Sequence, residues 1–136
     1  MSLKVPDIGL TDQLDLLAGL MDSSWKMHLF QNDYTPVAGT LLANLTEATF
    51  SGYVGGVTLT NPSAAAMDGA RAKTTFDDVQ EAHDGGGTSN MIYGYYVVDA
   101  GGALQFAERD PNAPRSMASL GDTYTVTPVY TLRSEF

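Results

Sequence analysis

The segment 90–99, an unbroken apolar and aromatic run between Asn90 and Asp99, predicts the central strand of a β-hairpin. Its length, bounded by turn residues, suits a strand buried on both faces better than a helix. Residues 103–109 alternate in polarity and predict a half-exposed second strand. The alternating residues are Leu104 and Phe106 on one face, and Gln105 and Arg109 on the other. Between the strands, Gly101 and Gly102 can adopt the positive φ that a tight hairpin requires.

Apolar residues near the N-terminus recur at helical spacing and predict one amphipathic helix. They are Leu10, Leu14, Leu17 and Met21, with Leu16 and Leu20 widening the apolar stripe. Thr11 or Asp12 can cap this helix. We expect the stripe to pack over one end of a sheet, with burial against another subunit as the alternative. Residues 1–9 are predicted to form an extended arm, because Pro6 cannot donate to a β-ladder and Gly9 breaks the periodicity.

Shorter patterns predict the remaining strands and loops. The clearest alternation, at 123–132, has one apolar and one threonine-rich face, as in a sheet with one face in water. Pro128 within it indicates an edge position or a bulge. Further predicted strands lie at 25–32, 53–60 and 73–77, with a short helical turn at 46–50. Predicted connections lie at 33–45, 61–72, 77–89 and 110–121, the third of them acidic, glycine-rich and exposed.

These elements predict a single, mainly β domain spanning residues 1–136. The fold class expected is a β-sandwich, jelly-roll-like, or an open barrel, with one N-terminal helix. A chain of 136 residues is long enough to bury one hydrophobic core.

Composition limits the classes of molecule that we expect the protein to bind. Seven basic and sixteen acidic residues give a net charge of −9, which repels phosphate backbones and anionic lipids. We therefore expect neither nucleic acid nor a membrane as a partner. The absence of cysteine excludes a disulfide framework and a thiolate metal site. Four aspartates interrupt the first 25 residues, so no signal peptide is predicted, and no apolar run approaches the roughly 18 residues of a membrane span.

One acidic segment offers candidate metal ligands. Its residues are Asp77, Asp78, Glu81, His83 and Asp84. Oxygen ligands this close in sequence can hold calcium, but their spacing does not match the 12-residue calcium loop. His83 and the glycines at 85–87 are also similar to an oxyanion loop of esterases, although no Gly-x-Ser-x-Gly nucleophile motif accompanies them. A solvated acidic loop, without metal or catalysis, is the preferred interpretation.

The remaining polar and aromatic candidates do not form a catalytic set, so we predict no enzyme activity and no cofactor. His28 is predicted to be a strand residue with an ordinary hydrogen bond. Asp99 and Glu108 could form the carboxylate pair of a glycoside hydrolase, but a turn and an outward face explain them as solubilising residues. Three tyrosines of the central strand could stack on a sugar or a base, but packing is the simpler use. They are Tyr93, Tyr95 and Tyr96.

Six short segments, spread in order over nearly the whole chain, form a recognisable set. They are Leu3–Asp7; Leu29–Asp33 with Thr35 and Pro36; Phe50–Tyr53; Ile92–Tyr96 with Asp99; Phe106–Arg109; and Gly121–Thr123 with Val126–Pro128. Together they resemble a family of tailed-bacteriophage virion proteins. Residues 61–89 depart from the pattern.

The resemblance implies a capsid decoration or cement protein, made in the host cytoplasm and located on the virion surface. Such a protein binds the major capsid protein and stabilises the shell, commonly as a homo-oligomer, with a trimer favoured. The residues expected to contact neighbours are Leu3, Val5, Pro6 and Ile8 of the arm, and Asp33, Tyr34 and Pro36 of the following loop. The alternative is a tail or fibre accessory module that binds host-surface carbohydrate through exposed Tyr93 or Tyr34.

Overall fold

The computed structural model describes residues 6–133 and shows a mainly β fold with one N-terminal helix. The elements in chain order are α1 Asp7–Met21, β1 Lys26–Phe30, a 3-10 turn Leu42–Asn44, β2 Val57–Thr58, β3 Ala66–Asp68, β4 Arg71–Thr75, β5 Val79–Ala82, β6 Asn90–Ile92, β7 Gly94–Val98, β8 Leu104–Arg109, β9 Arg115–Met117, β10 Thr123–Val126 and β11 Val129–Arg133. The strands pair antiparallel in four sheets of order β2-β1-β7-β8, β11-β4-β3, β10-β5 and β6-β9, none closed into a barrel. The predicted mainly β, sandwich-like class is confirmed.

Strand β7 is an inner strand of the largest sheet, and all five of its residues are buried. Tyr95 and Val97 face the main core, while Tyr96 and Val98 face a second apolar cluster on the other side of the sheet. The predicted hairpin with β8 is formed. The run at 90–99 is nevertheless divided at Tyr93, because β6 leaves this sheet to pair with β9.

A shift of register between Val97 and Val98 determines which way the residues of β8 face. Phe106 packs against the main core, whereas Leu104 packs against the second cluster. The prediction that these two side chains share a face is therefore wrong. An additional residue in one strand reverses the alternation beyond it, and composition does not reveal where it is inserted.

Helix α1 covers the three-stranded sheet, as expected for a stripe packed on a sheet. Its buried residues are Leu10, Leu14, Ala18 and Met21. Leu16 and Leu20 do not widen the stripe, since they are 76% and 70% exposed. At 3.6 residues per turn, Leu16 lies about 160° around the helix from Leu14, so both cannot face one sheet.

The helix begins earlier than the sequence pattern predicts. Its first residue is Asp7, and Pro6 occupies the N-cap position in place of Thr11 or Asp12. Proline lacks an N–H, which costs nothing at a helix start, and the Asp7 carboxylate favours the positive end of the helix dipole. Residues 7–9 are therefore helical instead of extended, and residues 1–5 of the predicted arm lie outside the described residues.

Three predicted loops contain strands. The segment 61–72 holds β3 and the start of β4, the segment 77–89 holds β5, and the segment 110–121 holds β9. The predicted helical turn at 46–50 is absent, and Glu47 forms an isolated β-bridge with Phe30. The single strand predicted at 123–132 is divided at residues 127 and 128 into β10, which pairs with β5, and β11, which pairs with β4, so Pro128 lies between two strands instead of within one. Within residues 6–133, no helix has the length and apolarity needed to cross a membrane.

Candidate functional site

Residues 33–45, which we call the apolar loop, expose large apolar side chains to water. Val37 is 64% exposed, Leu41 is 67% exposed and Leu42 is 42% exposed. Single exposed apolar residues are ordinary on protein surfaces, but a group on one loop marks an interaction surface. The apolar loop is therefore the first candidate for contact with a partner.

Hydrogen bonds hold the apolar loop in one conformation. At its base, the Asn32 side chain donates to the Asn44 carbonyl at 2.8 Å and accepts from the Thr46 N–H at 2.8 Å. At its tip, the Thr40 hydroxyl accepts from the Val37 N–H at 2.8 Å, and the Thr40 N–H donates to the Val37 carbonyl at 3.0 Å. A loop ordered in this way loses little conformational entropy when it binds.

Three predicted contact residues lie together at the start of the apolar loop. The Asp33 side chain is 72% exposed, and its carboxylate pairs with Arg109 Nη1 at 2.7 Å. Tyr34 is half-buried, with its hydroxyl 3.1 Å from the Thr40 hydroxyl. Pro36 is half-buried beside β8. The structure thus places these residues where they were predicted, at a surface loop.

The other predicted contact residues lie in a different part of the molecule. Pro6 caps α1, and Ile8, within α1, is 75% exposed. The helix packs on β3, β4 and β11, whereas the apolar loop lies against the second cluster of the four-stranded sheet. Leu3 and Val5 lie outside the described residues.

A groove of about 440 Å³ separates the apolar loop from β8. Residues 36–38 and Thr40 line one side, and residues 104–107 line the other. No lining residue carries a charge. A groove of this composition suits an uncharged chain segment better than an ionic ligand.

A polar pocket of about 300 Å³ lies between the end of β8 and β10. The Tyr95 hydroxyl donates to Glu108 Oε2 at 2.9 Å, and the Tyr124 hydroxyl donates to Asp110 Oδ2 at 2.8 Å. Arg115 Nε lies 2.8 Å from the same Asp110 oxygen, with its guanidinium over the Tyr124 ring. These five side chains therefore pair with one another in two groups.

Sequence reasoning missed most of this pocket. It paired Glu108 with Asp99, but the Asp99 carboxylate accepts from the Gly101 and Ala103 N–H groups in the hairpin turn. The carboxylate that joins Glu108 in the pocket is that of Asp110. Only the fold brings Tyr124 to these residues from another strand, so no local motif marks the set.

Contacts within the pocket shift the pKa values of Asp110, Tyr95 and Tyr124. Burial acts to raise the pKa of Asp110, but hydrogen bonds from the Asn112 N–H and the Tyr124 hydroxyl, together with Arg115, outweigh it and hold the pKa below its ordinary value. Burial and the adjacent carboxylates raise the pKa of Tyr95 and of Tyr124 well above the ordinary value of a phenol. The pocket thus keeps the carboxylate charged and both phenols neutral.

Buried tyrosines predict a loss of stability at alkaline pH. Burial raises the pKa of Tyr96 to about 12, and it raises the pKa values of Tyr53, Tyr95 and Tyr124 further. The unfolded chain releases these protons near pH ~10 while the folded chain retains them. The stability they contribute is therefore complete below about pH 10 and is lost as the pH rises through the folded pKa values. Urea unfolding at pH 8–11.5 should show this decline, and Tyr95→Phe should flatten it; constant wild-type stability would contradict the account.

His28 has the ordinary role predicted for it. Its Nδ1 lies 2.6 Å from Glu47 Oε1, and its ring stacks on Tyr96 with centroids 5.0 Å apart. The Tyr53 hydroxyl also donates to Glu47 at 3.1 Å. These contacts join β1 to the loop that precedes β2.

The acidic segment is the largest correction to the sequence predictions: residues 77, 78 and 84–89 are exposed, as predicted, but the middle of the segment is strand β5 and includes buried residues. Glu81, in β5, is 3% exposed, and His83 is 2% exposed. The His83 ring accepts from the Gly85 N–H at Nδ1, 3.0 Å away, so its Nε2 carries the proton donated to the Thr88 carbonyl at 2.9 Å. Among residues 6–133, no group of three His, Asp or Glu side chains is arranged to hold a metal ion.

The three tyrosines considered for stacking on a sugar or a base already contact other residues of the protein. Tyr95 and Tyr96 are buried, at 6% and 5% exposure. The Arg109 guanidinium lies over the Tyr93 ring, 5.2 Å from its centroid. Tyr93 therefore has one ring face covered, which weakens its candidacy as a platform for a sugar.

Comparison with known proteins adds no family assignment. No family model matches the chain, and searches of curated proteins and of solved structures gave no significant match.

Proposed function

We propose that the protein is a phage virion structural protein, a capsid decoration or cement protein whose apolar loop binds the major capsid protein. The observation that carries this proposal is the ordered apolar loop, with Val37, Leu41 and Leu42 exposed. Burial of each such side chain is worth up to roughly 1.5–3 kcal/mol. The hydrogen bonds within the loop limit the entropy lost on binding, so this burial contributes to affinity.

Net charge and the resemblance described above support the same class. A net charge of −9 keeps the free protein soluble despite its exposed apolar residues. A protein that binds an assembled shell, and not its separate subunits, stabilises that shell by mass action. A cement function therefore needs a binding surface and no catalytic site.

A homotrimer requires a second surface, and we propose the outer side of α1 for it. Ile8, Leu16 and Leu20 are each at least 70% exposed there. Helical side chains of this kind are commonly buried between subunits of symmetric oligomers. Analytical ultracentrifugation at micromolar concentrations tests this part of the proposal, and a monomer under those conditions would contradict the trimer.

Binding to capsids tests the apolar loop directly. The double variant Val37→Lys/Leu41→Lys should bind at least tenfold more weakly to purified capsids that lack the protein, because two ammonium groups would have to be desolvated at the interface. Co-sedimentation measures the bound fraction. The control is Val54→Lys/Leu120→Lys, which adds the same charge at residues 79% and 76% exposed outside the loop. Equal occupancy by both variants would refute the assignment of the loop.

The polar pocket favours one alternative, a tail or fibre module that binds host-surface carbohydrate. Carboxylates of Glu108 and Asp110 and the guanidinium of Arg115 offer the acceptors and donors that sugar hydroxyls need. A glycan array would detect such binding, and Arg115→Ala should abolish it. Absence of any bound glycan would remove this alternative.

A further inference from the structure

We infer that the groove between the apolar loop and β8 holds an extended peptide segment of a partner protein, which adds to the four-stranded sheet as a fifth strand. The segment would be extended, with apolar side chains at alternate positions and basic residues at its ends. That the partner is a capsid protein rests on the proposed function. The groove's preference for an extended segment rests on the geometry of β8 alone.

Hydrogen bonds on the side of β1 that faces away from β7 establish which backbone groups of β7 face β8. The Leu29 N–H donates to the Tyr53 hydroxyl, and the Leu29 carbonyl accepts from the Ala48 N–H. The backbone of Leu29 therefore points away from β7. In an antiparallel pair, its partner Tyr95 must then point away from β1 and towards Glu108 of β8.

The same alternation leaves other residues of β8 unpaired. Glu108 bonds to β7, so Ala107 and Arg109 on either side of it direct their N–H and C=O groups to the outer edge. The sheet order ends at β8. In the part of the chain that the structure describes, no hydrogen bond reaches the backbone of Ala107 or Arg109 from that side. An unpaired edge of this kind is a template for a further strand.

The groove lies where a fifth strand would run. Residues 104–107 form one of its sides, and the six residues of β8 offer an edge of about 20 Å. The opposite side is formed by the ordered apolar loop, including Val37. Apolar side chains of the incoming strand would contact this side, while its backbone bonds to Ala107 in the groove and continues to Arg109 beyond the lining residues. Backbone pairing of this type gives affinity, and side-chain contacts give specificity.

Charge complementarity favours basic residues at the ends of the segment. The Asp99 carboxylate lies at one end of β8, where it accepts from Gln105 Nε2 at 2.9 Å. The Asp33 carboxylate lies at the other end, where it pairs with Arg109 but remains 72% exposed and can accept a second donor. With a net charge of −9 on the chain and no charge in the groove, an acidic segment would be repelled and a basic one attracted.

The test uses the isolated protein and a synthetic peptide, so it does not depend on capsid binding. The probe is a seven-residue peptide with alternating valine and threonine between terminal lysines. On titration, the amides of Ala107 and Arg109 should shift in NMR spectra and exchange with solvent at least tenfold more slowly, while the amide of Glu108, already bonded to β7, should keep its exchange rate. The matched control is the same peptide with alternate backbone nitrogens methylated, which should not bind.

Variants distinguish the groove from other surfaces. Val37→Lys should weaken peptide binding at least tenfold, and Val54→Lys, which adds the same charge outside the groove, should leave it unchanged. Ala107→Pro should also abolish binding, since it removes an outward N–H without touching the ladder to β7. If millimolar peptide protects neither Ala107 nor Arg109, the inference is wrong.

Two results would assign the groove to another occupant and so overturn the inference. Concentration-dependent protection of Ala107 without peptide would mean that a second copy pairs with β8. Loss of protection at Ala107 when residues 1–5 are deleted would mean that the chain's own N-terminus occupies the groove. If the peptide binds as expected but the protein does not bind capsids, the groove stands and the proposed function fails.

Discussion

Replacement of Gly94 by alanine is expected to destabilise the fold by roughly 3 kcal/mol or more. A Cβ at this position would lie 2.1 Å from the Glu108 carbonyl oxygen and 2.7 Å from the Phe30 ring. The carbonyl belongs to the neighbouring strand, and the ring is fully buried in the second cluster. Neither can withdraw without separating β7 from β8 or disrupting that cluster. Urea unfolding followed by the fluorescence of Trp25 measures the loss.

Gly87→Ala is the matched control for this variant. No atom lies within 4 Å of a Cβ built at Gly87, and its backbone conformation is open to alanine. Its stability should stay within about 0.5 kcal/mol of the wild type. If Gly94→Ala proved as mild as this control, the close contact between β7 and its neighbours would be wrong.

Replacement of Glu81 by leucine is expected to cost about 3 kcal/mol. The Glu81 carboxylate accepts from the Val54 N–H at 3.0 Å and from the Gly55 N–H at 3.2 Å. Leucine fills similar space but leaves both donors without an acceptor. Glu81→Gln retains one acceptor oxygen, so its loss should be intermediate. Urea unfolding gives the stabilities, and hydrogen exchange should accelerate at the amides of Val54 and Gly55.

Gln80→Leu provides the control on the same strand. Gln80 is exposed, and its side chain makes a single hydrogen bond to Thr125 at 3.2 Å. We expect a change within about 0.5 kcal/mol. Equal effects at Gln80 and Glu81 would contradict a buried anchoring role for Glu81.

The central hairpin was predictable because its signal is local. The apolar run before Asp99 and the glycines after it specify a buried strand and a tight turn without reference to the rest of the chain. The bulge opposite Val98 was not predictable, since an extra residue in a strand leaves no mark in polarity.

Helix α1 shows that apolar character alone does not predict which of its residues are buried. Spacing predicted that Leu10 and Leu14 would face a sheet, and they do. The same apolar character at Leu16 and Leu20 predicted a wider stripe, but helical geometry directs these two side chains to the opposite side. On the proposed function, a second subunit covers the apolar residues on that side, and periodicity within one chain does not distinguish such a face from one buried within the fold.

The prediction that the whole acidic segment lies in solvent was wrong for a different reason. Glu81 and His83 were assigned to solvent because charged and polar residues beside glycines usually lie there. Glu81 is buried because the N–H groups of residues 54 and 55, some 26 positions away, converge on its carboxylate. Long-range partners of this kind appear only after folding, and they decide whether a polar side chain is buried.

The candidate surface was predicted in part. The position of the loop that begins at Asp33 was predicted, its contact with a partner stays a prediction, and the exposed side chains of Val37, Leu41 and Leu42 were not predicted. The groove beside it required the register of β8, and the polar pocket required residues from separate strands. The sequence pattern predicted the loop but not the residues from other strands that lie beside it.

The most direct test of the proposed function is cryo-electron microscopy of purified particles of the phage that, on this proposal, encodes the protein. We predict density for the protein at regular positions over junctions between capsid subunits, with the apolar loop turned towards the shell. Density confined to the tail would favour the carbohydrate-binding module instead. Absence of the protein from the particle would contradict a structural role in the virion.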